Sequence, residues 1–338
     1  MWTLKSRRAK PSAPRSEAEL AAEIVTLTER NQAQRSSKIE HRLLELRHDL
    51  GIRRIATNGH TPAQAAPNAE NLPPFAGELP EISAADITPE LLRAGILRDG
   101  CMIVRELIDR QTAVSFAAEI DTAFAEREQQ DAGGRAADGY YQEFAPHQES
   151  GEPIAREWIK MGGGVLAVDS PMLAFKMFEI FEDSSLPELV RGYLGEPPLI
   201  SAQKTTLRKA APSVPGAWHQ DGAFMGEVRA LNLWLSLSRC GDVSPGLDIV
   251  PRRLDQFVST GTDEAMLDYQ VSQNAAEAAA GDRPIVRPIF EPGDAVFFDD
   301  LCLHKTGSDP SMPNPRYAIE NWFFGGSAFP GEYAPIAV

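Results

Sequence analysis

The second half of the chain most narrows what it can fold into. Beyond Gly195, strand-like segments recur at short intervals: Leu199–Leu207, Ala230–Ser238, Leu247–Pro251, Ile285–Phe290, Ala295–Phe298 and Arg316–Phe324. Turn signals separate them, notably Pro292-Gly293-Asp294 and Pro313-Asn314-Pro315. The segments before them read as helices. Thr88–Gly95 opens with a capping threonine and Pro89 in the first turn, and Ala113–Glu128 places Val114, Ala117, Ile120 and Phe124 on one face. Pro171–Phe181 and Ser185–Gly195 are two more, and Cys101–Arg105 is a short strand after the Asp99-Gly100 turn. Helices followed by a run of short strands predict a mainly β fold with flanking helices, an α+β arrangement around a double-stranded β-helix (jelly-roll, cupin-like) core.

That body is expected over 85–338, preceded by an N-terminal extension over 1–84. Residues 1–16 are rich in Pro, Ser and Arg and are expected to be disordered. From Glu17 to Leu50 the pattern is helical, with Leu20, Ile24 and Leu27 as one apolar stripe and Ile39, Leu43, Leu46 and Leu50 as a second. The polar run Asn31–Gln34 shifts the phase between them, and Gly51 is a natural C-terminal stop. An amphipathic helix lying on the domain is the favoured reading; the alternative is an arm joining copies of the chain into a homo-oligomer. Residues 57–82 read as a linker, and 129–164 as a long irregular segment of the kind that more often carries function than not.

Charge excludes one class of partner. The net charge of −15 over 338 residues argues against nucleic acid, whose phosphates need a basic surface. Only residues 1–54 run the other way, with 12 Lys+Arg against 7 Asp+Glu. No apolar run approaches the ~18 residues of a membrane span. The 3 cysteines, Cys101, Cys240 and Cys302, lie far apart and read as reduced core residues, so cytoplasm is the expected location.

The candidate chemistry lies among the 6 histidines. His41, His48 and His60 fall in the extension, where solvent exposure is expected, and His147 has no ligand partner nearby. His219 differs. In Trp218-His-Gln-Asp-Gly222, His219 and Asp221 are two apart, so an extended backbone turns an imidazole and a carboxylate to one side. Such a pair alone is close to a chance event. His304, however, follows Pro292-Gly-Asp294 and an apolar strand, in position to complete a two-histidine, one-carboxylate triad with open coordination positions. Arg316 comes twelve residues later and opens another strand, offering a fork suited to a carboxylate. Asp294, Asp299 and Asp300 compete with Asp221, but none shares a strand face with a histidine.

From Ile87 to Phe324 the chain resembles the phytanoyl-CoA dioxygenase family of 2-oxoglutarate oxygenases. The resemblance rests on His219-Gln220-Asp221, Leu231-Asn-Leu-Trp-Leu-Ser-Leu237, Gly246-Leu-Asp-Ile-Val-Pro251, Pro292-Gly-Asp294, His304, Arg316 and the opening Asp99-Gly-Cys-Met-Ile-Val-Arg105. It implies that His219, Asp221 and His304 bind Fe(II) and that Arg316 holds the distal carboxylate of 2-oxoglutarate. Thr306 matches a position that assists that carboxylate, and Gln203 and Trp234 match positions lining the co-substrate pocket. The alternation in 231–237 agrees for Trp234, because leucines take one face and Asn232, Trp234 and Ser236 the other. The implied reaction uses O2 to hydroxylate an aliphatic C–H of a small organic substrate, releasing succinate and CO2. Desaturation, ring formation or epimerisation are other outcomes of the same chemistry.

The chain departs from the family where a Pro-Gly-Ser-His turn is usual and Pro251-Arg252-Arg253-Leu254 stands instead. Those arginines are either a solvated turn or a clamp for an anionic substrate. Glu320 shares a strand face with Arg316 and pairs with it or meets substrate; Tyr140, Tyr141, Trp158 and Lys160 are further candidates for substrate contact. Two other classes stay open: a non-catalytic jelly-roll binding protein, and a cupin-type metalloenzyme that does not use 2-oxoglutarate. Dependence on Arg316 separates the latter from the oxygenase.

Overall fold

The elements follow in chain order α1 (Glu17–Ala33), α2 (Ser37–Thr57), β1 (Glu81–Ser83), α3 (Pro89–Asp99), β2 (Cys101–Arg105), α4 (Arg110–Asp131), α5 (Arg156–Met161), β3 (Gly164–Leu166), α6 (Pro171–Asp183), α7 (Leu186–Leu194), β4 (Pro198–Ala210), α8 (Gly222–Met225), β5 (Ala230–Ser236), β6 (Gly246–Ile249), α9 (Gln273–Ala280), β7 (Ala295–Phe298), β8 (His304–Gly307), β9 (Arg316–Gly325) and β10 (Pro335–Ala337). They come from a computed structural model that describes residues 15–57, 63–75, 77–147, 152–214, 216–226, 228–261, 265 and 268–338. The expected disorder over 1–16 falls almost wholly outside the described residues, as do His60 and part of the expected linker.

Two sheets define the core. The larger runs β1-β2-β7-β5-β9-β4-β10, with β3 added on β4, and every pairing except β1 with β2 is antiparallel. The smaller pairs β6 with β8 and is extended by bridges at His219–His304 and Ile249–Val286. Period-two alternation assigns each face of the large sheet to one neighbour. Leu231, Leu233 and Leu235 of β5, Phe297 of β7 and Phe323 of β9 pack under α3, α4, α6 and α7. Trp234, Phe298 and Trp322 face the other way, in one apolar cluster with Leu247 and Ile249 of the small sheet. This is the double-stranded β-helix with helices flanking one face.

Local chemistry places the ends. Thr88 Oγ1 accepts from Leu91 N (3.3 Å) and Pro89 opens α3, as its sequence predicts. Gly293, at φ 101°, makes the turn into β7 that a side chain would resist. Ile285–Phe290, however, does not form a strand. Val286 and Phe290 make single bridges only, because Pro284 and Pro288 remove donors that a ladder needs.

The extension is a helical hairpin docked on the body. Ser16 and Glu19 form a reciprocal capping box at α1, and Asn31 Oδ1 accepts from Ser36 N (2.7 Å) in the turn before α2. Leu20, Ile24, Leu43, Leu46 and Leu50 are buried together with Leu199 of β4 and Ala337 of β10, so both apolar stripes are covered within one chain. Gly51 is not a stop, since α2 continues to Thr57. A Cβ on Gly51 would lie 2.9 Å from Pro335 O, so its role is close approach to β10. The residues expected to be linker also contribute β1, paired in parallel with β2.

Candidate metal centre

His219 and His304 are held opposite one another by a bridge between neighbouring chain segments. His219 N donates to His304 O (3.0 Å) and His304 N donates to His219 O (3.1 Å). β7 stops at Phe298, and His304 opens β8 in the other sheet. Asp221 begins the short helix α8 in a helical conformation (φ −62°, ψ −30°). Its side chain still shares a side with His219, because Gln220 between them is turned away and anchored. Gln220 Oε1 accepts from Val258 N (2.7 Å) and its Nε2 donates to Leu301 O (2.8 Å).

The ligand atoms of His219, Asp221 and His304 all lie within 4.8 Å of one another. His219 Nε2 is 3.8 Å from Asp221 Oδ1 and His304 Nε2 is 3.9 Å from Asp221 Oδ2. Each histidine makes a backbone contact through its other nitrogen: His219 Nδ1 with Ala217 O (2.7 Å) and His304 Nδ1 with Cys302 O (3.1 Å). With Nδ1–H donating there, both Nε2 lone pairs face the carboxylate, the tautomer a metal ligand needs. Burial, and next the neighbouring His219, bring the His304 imidazolium down to about 4, so the ring is neutral at pH 7. Two imidazoles and a carboxylate with their ligand atoms turned toward one point fit a divalent iron ion.

The triad opens on a cavity of about 660 Å³, walled by both sheets. Arg316 enters it from β9, almost wholly buried at 1% exposure. Its Nη1 donates to Gly246 O (3.2 Å), its Nη2 to Glu320 Oε1 (2.9 Å), and its guanidinium carbon lies 5.2 Å from the Trp234 ring centre. Among the described residues, Arg316 Nε and Trp234 Nε1 are buried without a hydrogen-bond partner, which suits a polar ligand at this end of the cavity. Glu320 is shared, because Arg208 donates to its other oxygen through Nε (2.9 Å) and Nη2 (2.6 Å). Burial opposes the Glu320 charge, yet the two arginines hold its carboxyl below the ordinary range.

The other candidates separate. Thr306, Gln203 and Trp234 all border the cavity. The Gln203 amide, however, is engaged with backbone, Nε2 donating to Glu152 O (3.2 Å) and Oε1 accepting from Ala334 N (2.9 Å). A register shift between Ile200 and Thr205 changes the phase of β4 and turns Lys204, Thr206 and Arg208 to the cavity, which the sequence gives no means to see. Arg252 is exposed and Arg253 pairs with Asp299, so the Pro251–Leu254 turn lies apart from the cavity. Asp294 is tied to Arg105 and Asp299 to Arg253, leaving Asp221 as the carboxylate of the cluster. Of Tyr140, Tyr141, Trp158 and Lys160, only Trp158 reaches the cavity. His48, expected in solvent, is buried with Nδ1 against Pro335 O (2.8 Å). All three cysteines are buried free thiols. Among the described residues no helix is long and apolar enough to cross a membrane.

No protein-family profile and no curated protein matches the chain. Solved structures do. The apo form of EctD from S. alaskensis is 19% identical over 71% of this chain and 79% of its own, with a TM-score of 0.49. AviO1 from Streptomyces viridochromogenes Tue57 is 18% identical over 71% of this chain and 96% of its own, at a TM-score of 0.44. The epimerase SnoN, solved with Fe3+, alpha ketoglutarate and nogalamycin RO, is 18% identical over 70% and 83%, also at 0.44.

Proposed function

We propose that the chain is an iron(II)- and 2-oxoglutarate-dependent oxygenase of the phytanoyl-CoA dioxygenase type, which hydroxylates an aliphatic C–H of a small organic substrate. One observation carries this reading: the His219, Asp221 and His304 ligand atoms converge in the same cavity that holds a buried guanidinium, Arg316. His219 and His304 hold the metal through Nε2, their rings fixed by Ala217 O and Cys302 O. Asp221 supplies the anionic ligand and offsets one positive charge. Arg316, steadied by Gly246 O and the face of Trp234, takes the distal carboxylate of 2-oxoglutarate; Thr306 and Gln203 line the same cavity. Iron with 2-oxoglutarate supplies the oxidising power, consuming O2 and releasing succinate and CO2. The chain itself contributes position and exclusion of water, with Phe298, Trp322 and Leu247 as apolar wall.

Purified protein, reconstituted anaerobically with iron and 2-oxoglutarate and then given O2 and a metabolite extract, should form succinate faster than without extract. One metabolite should gain a single oxygen atom. The His219→Ala protein should retain no iron after desalting. Normal iron content in that variant, or no extract-stimulated succinate, would sink the reading.

A further inference from the structure

One charged side chain in the cavity, Lys204, has no ion pair or hydrogen bond among the described residues. The register shift in β4 turns Lys204 inward, beside α8, with Nζ 4.4 Å from the ring centre of Phe224 and 5.5 Å from that of Tyr333. Among the described residues no carboxylate lies within 4.0 Å of this ammonium and no hydrogen bond ends on it. Other lysines of the body all have one: Lys160 with Asp131, Lys176 with Glu119, Lys209 with Asp121 and Lys305 with Asp248. Burial draws the Lys204 ammonium below its ordinary range, with Asp221 and then Glu332 acting against it. A half-buried cation with no carboxylate beside it lacks the partner its charge favours, and an anionic ligand would supply one.

The remaining groups narrow what that ligand is. Arg208 is already paired with Glu320 and Gly162 O, its charge met by the Glu320 carboxylate, which leaves Lys204 as the cation without a carboxylate partner among the described residues lining the cavity. In the reading above Arg316 already serves the distal carboxylate of 2-oxoglutarate. Around the mouth of the same cavity stand apolar side chains open to solvent: Trp158 at 66%, Met161 at 72% and Tyr269 at 42% exposure. Exposed apolar surface gathered at a cavity mouth marks a binding face.

We propose that Lys204 anchors a carboxylate of the substrate, whose apolar body lies along Phe224 and the Trp158, Met161 and Tyr269 rim. The substrate class is therefore an amphipathic carboxylic acid, and this assignment rests on the oxygenase reading for its account of Arg316 and Asp221.

The test uses the full chain with Mn(II) and 2-oxoglutarate, without O2, and three probes sharing one body: 4-phenylbutyrate, 4-phenylbutan-1-ol and 4-phenylbutylamine. Calorimetric titration should show the acid bound at least about tenfold more tightly than the alcohol, the size of one charge-assisted hydrogen bond, and the amine weakest. Lys204→Met should lose the preference for the acid, and Lys204→Arg should keep it. Circular dichroism melts verify folding, with Lys204→Gln replacing a Met variant that fails to fold. Equal binding of acid and alcohol to the wild type, or a preference surviving in Lys204→Met, overturns the proposal. So does weakening of 2-oxoglutarate by Lys204→Met to the same degree as the acid, since Lys204 would then serve the co-substrate. A wild type that binds neither Mn(II) nor 2-oxoglutarate, yet prefers the acid through Lys204, overturns the oxygenase reading alone.

Discussion

His219 and His304, eighty-five residues apart in sequence, exchange two backbone hydrogen bonds of 3.0 and 3.1 Å and hold their ring centres 4.5 Å apart. The backbone bridge sets the spacing and the carbonyls of Ala217 and Cys302 set the ring orientation, so the fold itself organises the two rings of the candidate site.

That organisation has a cost that pH should reveal. Folded His304 titrates at about 4, while its ordinary value is 6.5. Between these values the unfolded chain holds a proton that the folded chain does not, so stability falls as pH drops from 6.5 to 4 and this contribution levels off below. The His304 share is on the order of 3 kcal/mol. Urea unfolding of the metal-free protein at pH 7, 5.5 and 4.5 should show this slope, and His304→Gln should flatten it. An identical slope in both proteins would show that His304 is not held neutral.

Arg316→Ala should weaken 2-oxoglutarate by about a hundredfold, the scale for truncating one side of a buried charge pair, while leaving Mn(II) affinity in place. Arg316→Lys should fall between, because it keeps the charge without the fork. Titration under nitrogen separates the two affinities. Unchanged 2-oxoglutarate binding in Arg316→Ala would favour a metalloenzyme that does not use it.

What the sequence made legible depended on how local the signal was. The leucine alternation of β5 gave both its helix-facing side and its cavity side, and the Pro-Gly-Asp turn with Gly293 gave the entry to β7. His219, Asp221 and His304 were readable because order and strand context supplemented a spacing that is weak alone. Lys204 was not, because the phase change in β4 depends on pairing with β9 and a lone lysine carries no pattern. Helix α9 was missed for a related reason: Gln273–Ala280 is mostly alanine, with too little contrast to mark a face. Gly51 misled because a glycine after an apolar stripe is the ordinary end of a helix, whereas here it admits β10.

Glu320 should be worth more to stability than an ordinary surface carboxylate. It accepts from Arg208 on one oxygen and from Arg316 on the other, and both guanidinium groups sit largely out of solvent. Glu320→Gln removes the charge that both share, at an expected loss of about 2–3 kcal/mol, slightly below the range for a fully buried pair. Adding Arg208→Gln should restore part of it, because the like-charge conflict goes with the second arginine. Chemical denaturation of the two single variants and the double variant measures the coupling. Strict additivity would mean that the network contributes no shared energy.

The docking of the N-terminal hairpin makes a prediction opposite in sign to helix propensity. Gly51 lies inside α2, where alanine is ordinarily better by about 1 kcal/mol. Its Cβ, however, would sit 2.9 Å from Pro335 O and 3.0 Å from Pro335 Cβ. Those atoms belong to β10, which is fixed by pairing with β4 and cannot yield as a flexible side chain would. Relieving the overlap means moving α2 off the sheet, with Leu46 and Leu50 losing contact against Leu199 and Ala337. Overpacking of this kind costs roughly 1–3 kcal/mol, so Gly51→Ala should be net destabilising by up to about 2 kcal/mol in urea unfolding, within a single transition shared with the sheet. If instead Gly51→Ala raises stability, propensity alone is operating and α2 does not lie against β10 in solution.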